Sequence, residues 1–189
     1  QVTTQFSQNV LDGTNAFELY ASEEQVRGLP PSALVAAREA AEAKGKPGYR
    51  ISLQGPSVVA VLTHADDADL RRQVWQAFNR RGVEKQDNVA LVARILELRH
   101  EKAQLLGFRD FADLVTSDRM AKTGAEARRF IEDLTQKTEV AFRREQDELL
   151  AFRRTLEGAN APTLAPWDVG YYAEKQRQAL YDFDEEALR

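Results

Sequence analysis

His100-Glu101-Lys102-Ala103-Gln104 is the stretch that comes nearest to hydrolytic chemistry. A zinc-hydrolase helix of the H-E-x-x-H type sets two imidazoles one turn apart, so that both reach the same metal, and places a glutamate beside them as general base. Here His100 and Glu101 stand correctly, but Gln104 occupies the second ligand position, and a neutral amide is a poor zinc donor. The segment therefore reads as a helix end in which an imidazole sits favourably near the carbonyl pole. The other histidine, His64, precedes Ala65-Asp66-Asp67. A histidine with two aspartates could in principle hold a metal, but no third ligand follows at a useful spacing. Asp67 or Asp69 serves better as a cap for the next helix. There are 0 cysteines, so disulfides, thiolate metal sites and a cysteine nucleophile are excluded. No Gly-x-Ser-x-Gly elbow occurs, and Lys44-Gly45-Lys46-Pro47-Gly48 lacks phosphate-loop spacing. The expectation is that no residue of this chain is catalytic and none binds a metal.

The elements that carry these residues are mostly amphipathic helices. Apolar residues at helical spacing predict a helix over 1–15, and Ser22-Glu23-Glu24-Gln25 has capping-box form. Pro30-Pro31-Ser32 opens a helix that stops at the 44–48 turn. Tyr49-Arg50-Ile51-Ser52-Leu53 alternates and is the best strand, while Phe17-Glu18-Leu19-Tyr20 is a shorter extended candidate. Gly55-Pro56-Ser57 starts another helix, and Leu70, Val74, Trp75 and Phe78 make one stripe of the next. Asp87-Asn88 starts a long helix that closes near Gly107. Phe111, Leu114 and Val115 form a short one. Thr123-Gly124-Ala125-Glu126 enters the longest, about 33 residues or roughly 50 Å, with Phe130, Ile131, Leu134, Leu149, Phe152 and Leu156 on its apolar stripe. A proline-containing linker over 158–166 precedes a final helix from Trp167, for which Asp168 is the natural cap. The predicted class is mainly α, with weak sub-boundaries near 44–48 and 158–166.

Composition narrows the partners. The 189 residues carry 26 basic and 30 acidic side chains, for a net charge of −4. Nucleic acid or an anionic membrane would call for excess positive charge. The arginine pairs 71–72, 80–81, 128–129, 143–144 and 153–154 alternate with acids at three- and four-residue spacing, so they are expected on a solvated, ion-paired surface. No apolar run reaches the ~18 residues that a membrane span needs. The chain begins at Gln1 rather than Met and stops within a charged helical pattern. Both ends are accordingly expected to continue in a longer polypeptide.

Three ordered segments carry a family resemblance: Arg99-x-x-Lys102-Ala103-x-Leu105-Leu106-Gly107-Phe108, then Asp118-Arg119-Met120-Ala121-Lys122-Thr123, then Pro166-Trp167-Asp168-Val169-Gly170-Tyr171-Tyr172-Ala173-Glu174. Together with Phe6-Ser7-x-Asn9-Val10-Leu11-Asp12 they make the whole chain resemble the thimet oligopeptidase family of zinc peptidases, and within it the peptidyl-dipeptidase Dcp branch. That resemblance implies a two-lobed, almost entirely helical fold with a deep channel, and a parent enzyme that releases C-terminal dipeptides from short peptides. It also implies zinc held by a later H-E-x-x-H helix outside this chain, so the expected partners are short peptides and the C-terminal catalytic region. Residues 1–189 would form channel wall and scaffold, in a cytoplasmic enzyme by default, with a periplasmic one open. Trp167, Tyr171 and Tyr172 are the candidate channel residues, although aromatics at a helix start also pack into cores. A stand-alone helical interaction domain without catalysis is the alternative.

Overall fold

The computed structural model describes residues 1–83 and 88–181. Its elements run α1 (Val2–Ala16), β1 (Leu19–Ala21), α2 (Pro31–Glu42), β2 (Tyr49–Ile51), α3 (Gly55–His64), α4 (Ala68–Asn79), α5 (Asn88–Leu105), α6 (Phe111–Thr116), α7 (Gly124–Glu157) and α8 (Val169–Tyr181). The mainly helical class expected from the pattern is the class observed. These residues fall into two compact units, one of 1–8 with 88–147, the other of 9–83 with 148–181.

The second unit holds the larger core. β1 and β2 pair antiparallel, Tyr20 opposite Arg50, so the segment 17–20 contributes a strand as well as the more obvious 49–53. Alternation places Tyr49 and Ile51 in the core, with Val26, Leu53, Val58, Val61, Leu70 and Val74. Gly48 enters β2 at φ +86°, where a Cβ would lie 2.5 Å from the Ala21 carbonyl oxygen; only glycine fits. Proline opens α2 at its first position, where a missing N–H costs nothing. Asp67 caps α4, its Oδ1 accepting the Leu70 N–H at 2.9 Å.

Ser22 and Gln25 form the anticipated box, each backbone N–H donating to the other's side chain at 3.0 and 3.3 Å. No helix grows from it, however. The chain reverses at Gly28 (φ +87°) and then meets Pro30 and Pro31, which cannot extend the hydrogen-bond ladder.

The first unit contains α5, α6 and the front of α7. The start expected at Asp87 lies outside the described residues, but Asn88 is buried, and its Nδ2 donates to the Phe6 carbonyl at 3.2 Å. α5 ends in a Schellman motif: Phe108 N–H donates to Ala103 O at 2.9 Å and Gly107 N–H to Gln104 O at 3.0 Å, with Gly107 at φ +78°. Asp110 caps α6 through the Asp113 N–H at 2.9 Å, and Thr123 accepts the Glu126 N–H at 3.1 Å to start α7.

At 34 residues α7 matches the expected length. Its apolar stripe does not behave uniformly. Leu149 is buried, whereas Phe130 and Ile131 are 66% and 62% exposed. The helical spacing of the stripe is as read, but its front half lies open to solvent.

Candidate functional site

Sequence points to the start of α8, and the densest polar network lies there, within the second unit. Asp168 is buried, and its side chain does not cap α8 as expected. Its Oδ1 accepts from Arg71 Nη2 at 2.9 Å and its Oδ2 from Arg153 Nη1 at 3.0 Å, while Oδ2 also takes the Ala165 N–H at 3.2 Å. Two guanidiniums out-compete helix amides for a carboxylate because charge-assisted bonds in a dry site are the stronger ones.

The other donors of these arginines are mostly used. Arg71 Nη1 donates to the carbonyls of Ala65 at 2.7 Å and Asp66 at 3.1 Å, closing the C-terminal end of α3. Arg153 Nε donates to Glu157 at 2.9 Å, and Nη1 reaches Thr163 O at 3.4 Å. The Tyr172 hydroxyl donates to the same Glu157. Arg71 stacks 4.1 Å from the Tyr171 ring centre and Arg153 4.8 Å from that of Tyr172. Two cations and two carboxylates therefore balance, which is the condition under which buried charge is tolerated.

The placement of Arg71 and Arg153 is a second correction, since both were expected on the surface. Arg71 is 1% exposed and Arg153 6%. Other members of the arginine pairs behave as anticipated: Arg72 pairs with Asp69 in solvent, as do Arg128 with Glu132 and Arg143 with Glu139. One signal could have separated them. Arg71 lies three residues before Val74 and four before Trp75, and Arg153 lies four after Leu149, so both fall on apolar stripes.

The three aromatic candidates sit around this network in different ways. Tyr172 is buried, and burial together with its bond to Glu157 pushes its pKa up to about 12. Glu157 is held below the ordinary carboxylate range: burial alone would raise it, but the Tyr172 hydroxyl and Arg153 outweigh that. Tyr171 is half-buried and donates to Asp66 at 2.8 Å; burial and this bond raise its pKa strongly. Trp167 is half-buried too, its ring 5.7 Å from that of Trp75 and tilted by 60°. With Asp168 inaccessible and its oxygens occupied, the cluster holds α4, the end of α7 and α8 together.

The histidines stand apart from it. His100 is exposed on α5. Gln104, in the would-be ligand position, donates through Nε2 to Arg109 O at 2.7 Å and Phe108 O at 3.4 Å, so it ties the loop that leaves α5 back onto the helix. His64 ends α3 and is half-buried. Among the described residues no group of three or more His, Cys, Asp or Glu side chains is disposed to hold a metal ion. Among them, too, no helix is long and apolar enough to cross a membrane.

A cavity of about 710 Å³ opens elsewhere in the same unit, between α2 and α3 beside β2. None of the three aromatics lines it.

Comparison with known proteins gives this helical scaffold its context. The family model described as "Peptidase family M3" matches residues 61–189. Oligopeptidase A of Haemophilus influenzae is 38% identical across the whole chain and that of Escherichia coli 37%, while the dipeptidyl carboxypeptidase of Escherichia coli is 29% identical. Each alignment covers 100% of this chain but 28% of the relative, so the chain spans about a quarter of the length of these proteins. The class is that of a mainly helical member of a peptidase family. The chain belongs to peptidase family M3, as the motif resemblance implied, with oligopeptidase A and dipeptidyl carboxypeptidase both among its relatives.

Proposed function

We propose that this chain is the helical, non-catalytic wall of a zinc peptidase that hydrolyses short peptides. The observation that carries the reading is identity of 37–38% to oligopeptidase A along the whole chain, together with the family match. In such an enzyme the metal polarises the scissile carbonyl and activates water. The donors described in this chain do not fit that ion, and no hydrolytic step runs through them. What the segment supplies is shape: the Asp168 cluster fixes the start of α8, and with it Trp167 and Tyr171, as part of a channel that admits short chains only.

The finer specificity follows the degree of likeness. Cleavage within oligopeptides is supported by the higher identity to oligopeptidase A, and release of C-terminal dipeptides by the 29% identity to dipeptidyl carboxypeptidase. The exposed Phe130, Ile131 and Phe142 of α7 support packing against the remaining, catalytic part of the polypeptide. A cytoplasmic location is supported by the probable cytosolic oligopeptidase A of Arabidopsis thaliana, 35% identical.

Hydrolysis of a quenched fluorescent oligopeptide tests this. The full-length polypeptide containing this chain is expected to cleave it, to lose activity with a chelator and to regain it with zinc, while residues 1–189 alone stay inactive. Mass spectra of the products distinguish terminal dipeptides from internal cuts. Chelator-resistant cleavage, or cleavage by 1–189 alone, overturns the proposal.

A further inference from the structure

The cavity between α2 and α3 has a composition that the scaffold role does not explain. Its floor and one wall are small and apolar: Ala33, Ala36 and Ala40 of α2 face Val59 and Ala60 of α3. A volume of about 710 Å³ falls in the range of small-ligand sites, roughly 300–1,000 Å³. Its ionisable lining residues are Arg50 and His64, and no lining residue is acidic. Mostly apolar walls with a few polar groups at one end are the usual make-up of a binding site.

Arg50 gives the cavity its polarity. Arg50 Nη2 lies 3.2 Å from Glu18, but that carboxylate also serves Lys44 at 3.5 Å. One anion therefore faces two cations, which leaves an excess of one positive charge at this edge. The Nε–H of Arg50 is enclosed and has no acceptor within the described protein, while the side chain as a whole is partly exposed. A second carboxylate arriving at the exposed part of the guanidinium would balance the charge, while an apolar side chain lay along the alanines.

We infer that the α2–α3 groove binds the C-terminal end of a short apolar peptide, its α-carboxylate on Arg50 and its last side chains against Ala36, Ala40 and Val59. The choice of a peptide rests on the peptidase reading; the groove and its charge do not. Such a site would hold a peptide product or a substrate tail.

Photo-crosslinking tests it without relying on hydrolysis. The full-length polypeptide, kept in chelator, is irradiated with N-acetyl-Leu-benzoylphenylalanyl-Leu as the free acid or as the C-terminal amide, and labelled fragments are mapped by mass spectrometry. The acid is expected to label fragments containing α2 or α3, with half-saturation roughly tenfold below that of the amide, the worth of one charge-assisted contact. Ala36→Phe, a surface change on α2, should abolish this label. Arg50→Gln should equalise acid and amide, and Arg50→Lys should restore part of the preference; circular dichroism checks that each variant is folded. Equal labelling by acid and amide in the unaltered protein overturns the inference. So does labelling confined to other fragments, or insensitivity to Ala36→Phe, as expected if the rest of the polypeptide fills the groove. Because the readout is labelling, its failure leaves the hydrolysis result above untouched.

Discussion

Arg71 on α4 donates to Asp168, 97 residues later in the chain, across 2.9 Å of protein interior where both side chains are almost inaccessible to water. Asp168 holds a second guanidinium, Arg153, at 3.0 Å. Removing the shared carboxylate strands two cations. Asp168→Asn is therefore expected to cost about 3–5 kcal/mol of stability, the range for breaking a buried pair by deleting one partner. Replacing Arg71 with Met should cost less, because Asp168 keeps Arg153. Urea unfolding followed by circular dichroism checks the order, and an Asp168→Asn midpoint equal to that of the parent would refute the network's role.

The same cluster sets how stability responds to pH. With its pKa pushed up to about 12, against about 10 for a free phenol, Tyr172 is favoured in its protonated form by the fold. Its contribution is complete below pH ~10 and is lost as pH rises through the folded value. Glu157, held below its ordinary value, acts in the opposite sense: its contribution is present above pH ~4.3 and is lost as acid protonates it. Denaturation midpoints measured from acid to alkali should fall at both ends. Tyr172→Phe should flatten the alkaline fall, and an alkaline limb identical to the parent's speaks against the assignment.

Gly28 is the position least able to accept a side chain. At φ +87° a Cβ would sit 2.3 Å from the His64 carbonyl oxygen and 2.9 Å from Asp66 Oδ1. Gly28→Ala is expected to destabilise by more than ~1 kcal/mol, because strain and clash add to each other. Gly55→Ala, where a Cβ meets nothing within 4 Å, is the matched control and should come out near neutral or stabilising in thermal melts.

Both histidines are expected to be dispensable for metal. His64→Ala and His100→Ala in the full-length polypeptide should leave zinc content and peptide hydrolysis unchanged. Loss of stoichiometric zinc, read by atomic emission, in either variant would overturn the separation of this chain from the metal centre.

Local rules were enough for most helix boundaries: the prolines of α2 and α3, Asp67 and Thr123 as caps, and Gly107 as a stop all act where short-range chemistry says they should. The register of α7 was also readable, but whether its stripe is covered was not, because cover depends on residues remote in the chain. The same reason hid the candidate site. Asp168 presents itself locally as a cap and Arg71 as half of a charged pair; only the long-range encounter of α4, α7 and α8 converts them into a buried ion cluster. The cavity was invisible to pattern reading for a related reason, since an alanine stripe looks the same whether it meets a neighbouring helix or an open groove.

Gln104 has a consequence for redesign. A single change to histidine would complete the H-E-x-x-H spelling on α5, and a motif search would then report a metalloenzyme helix. The same change would delete the amide that ties down the carbonyls of Phe108 and Arg109. Grafting a metal centre there would thus loosen the corner that hands the chain over to α6, and the imidazoles would stand on an end that had begun to fray.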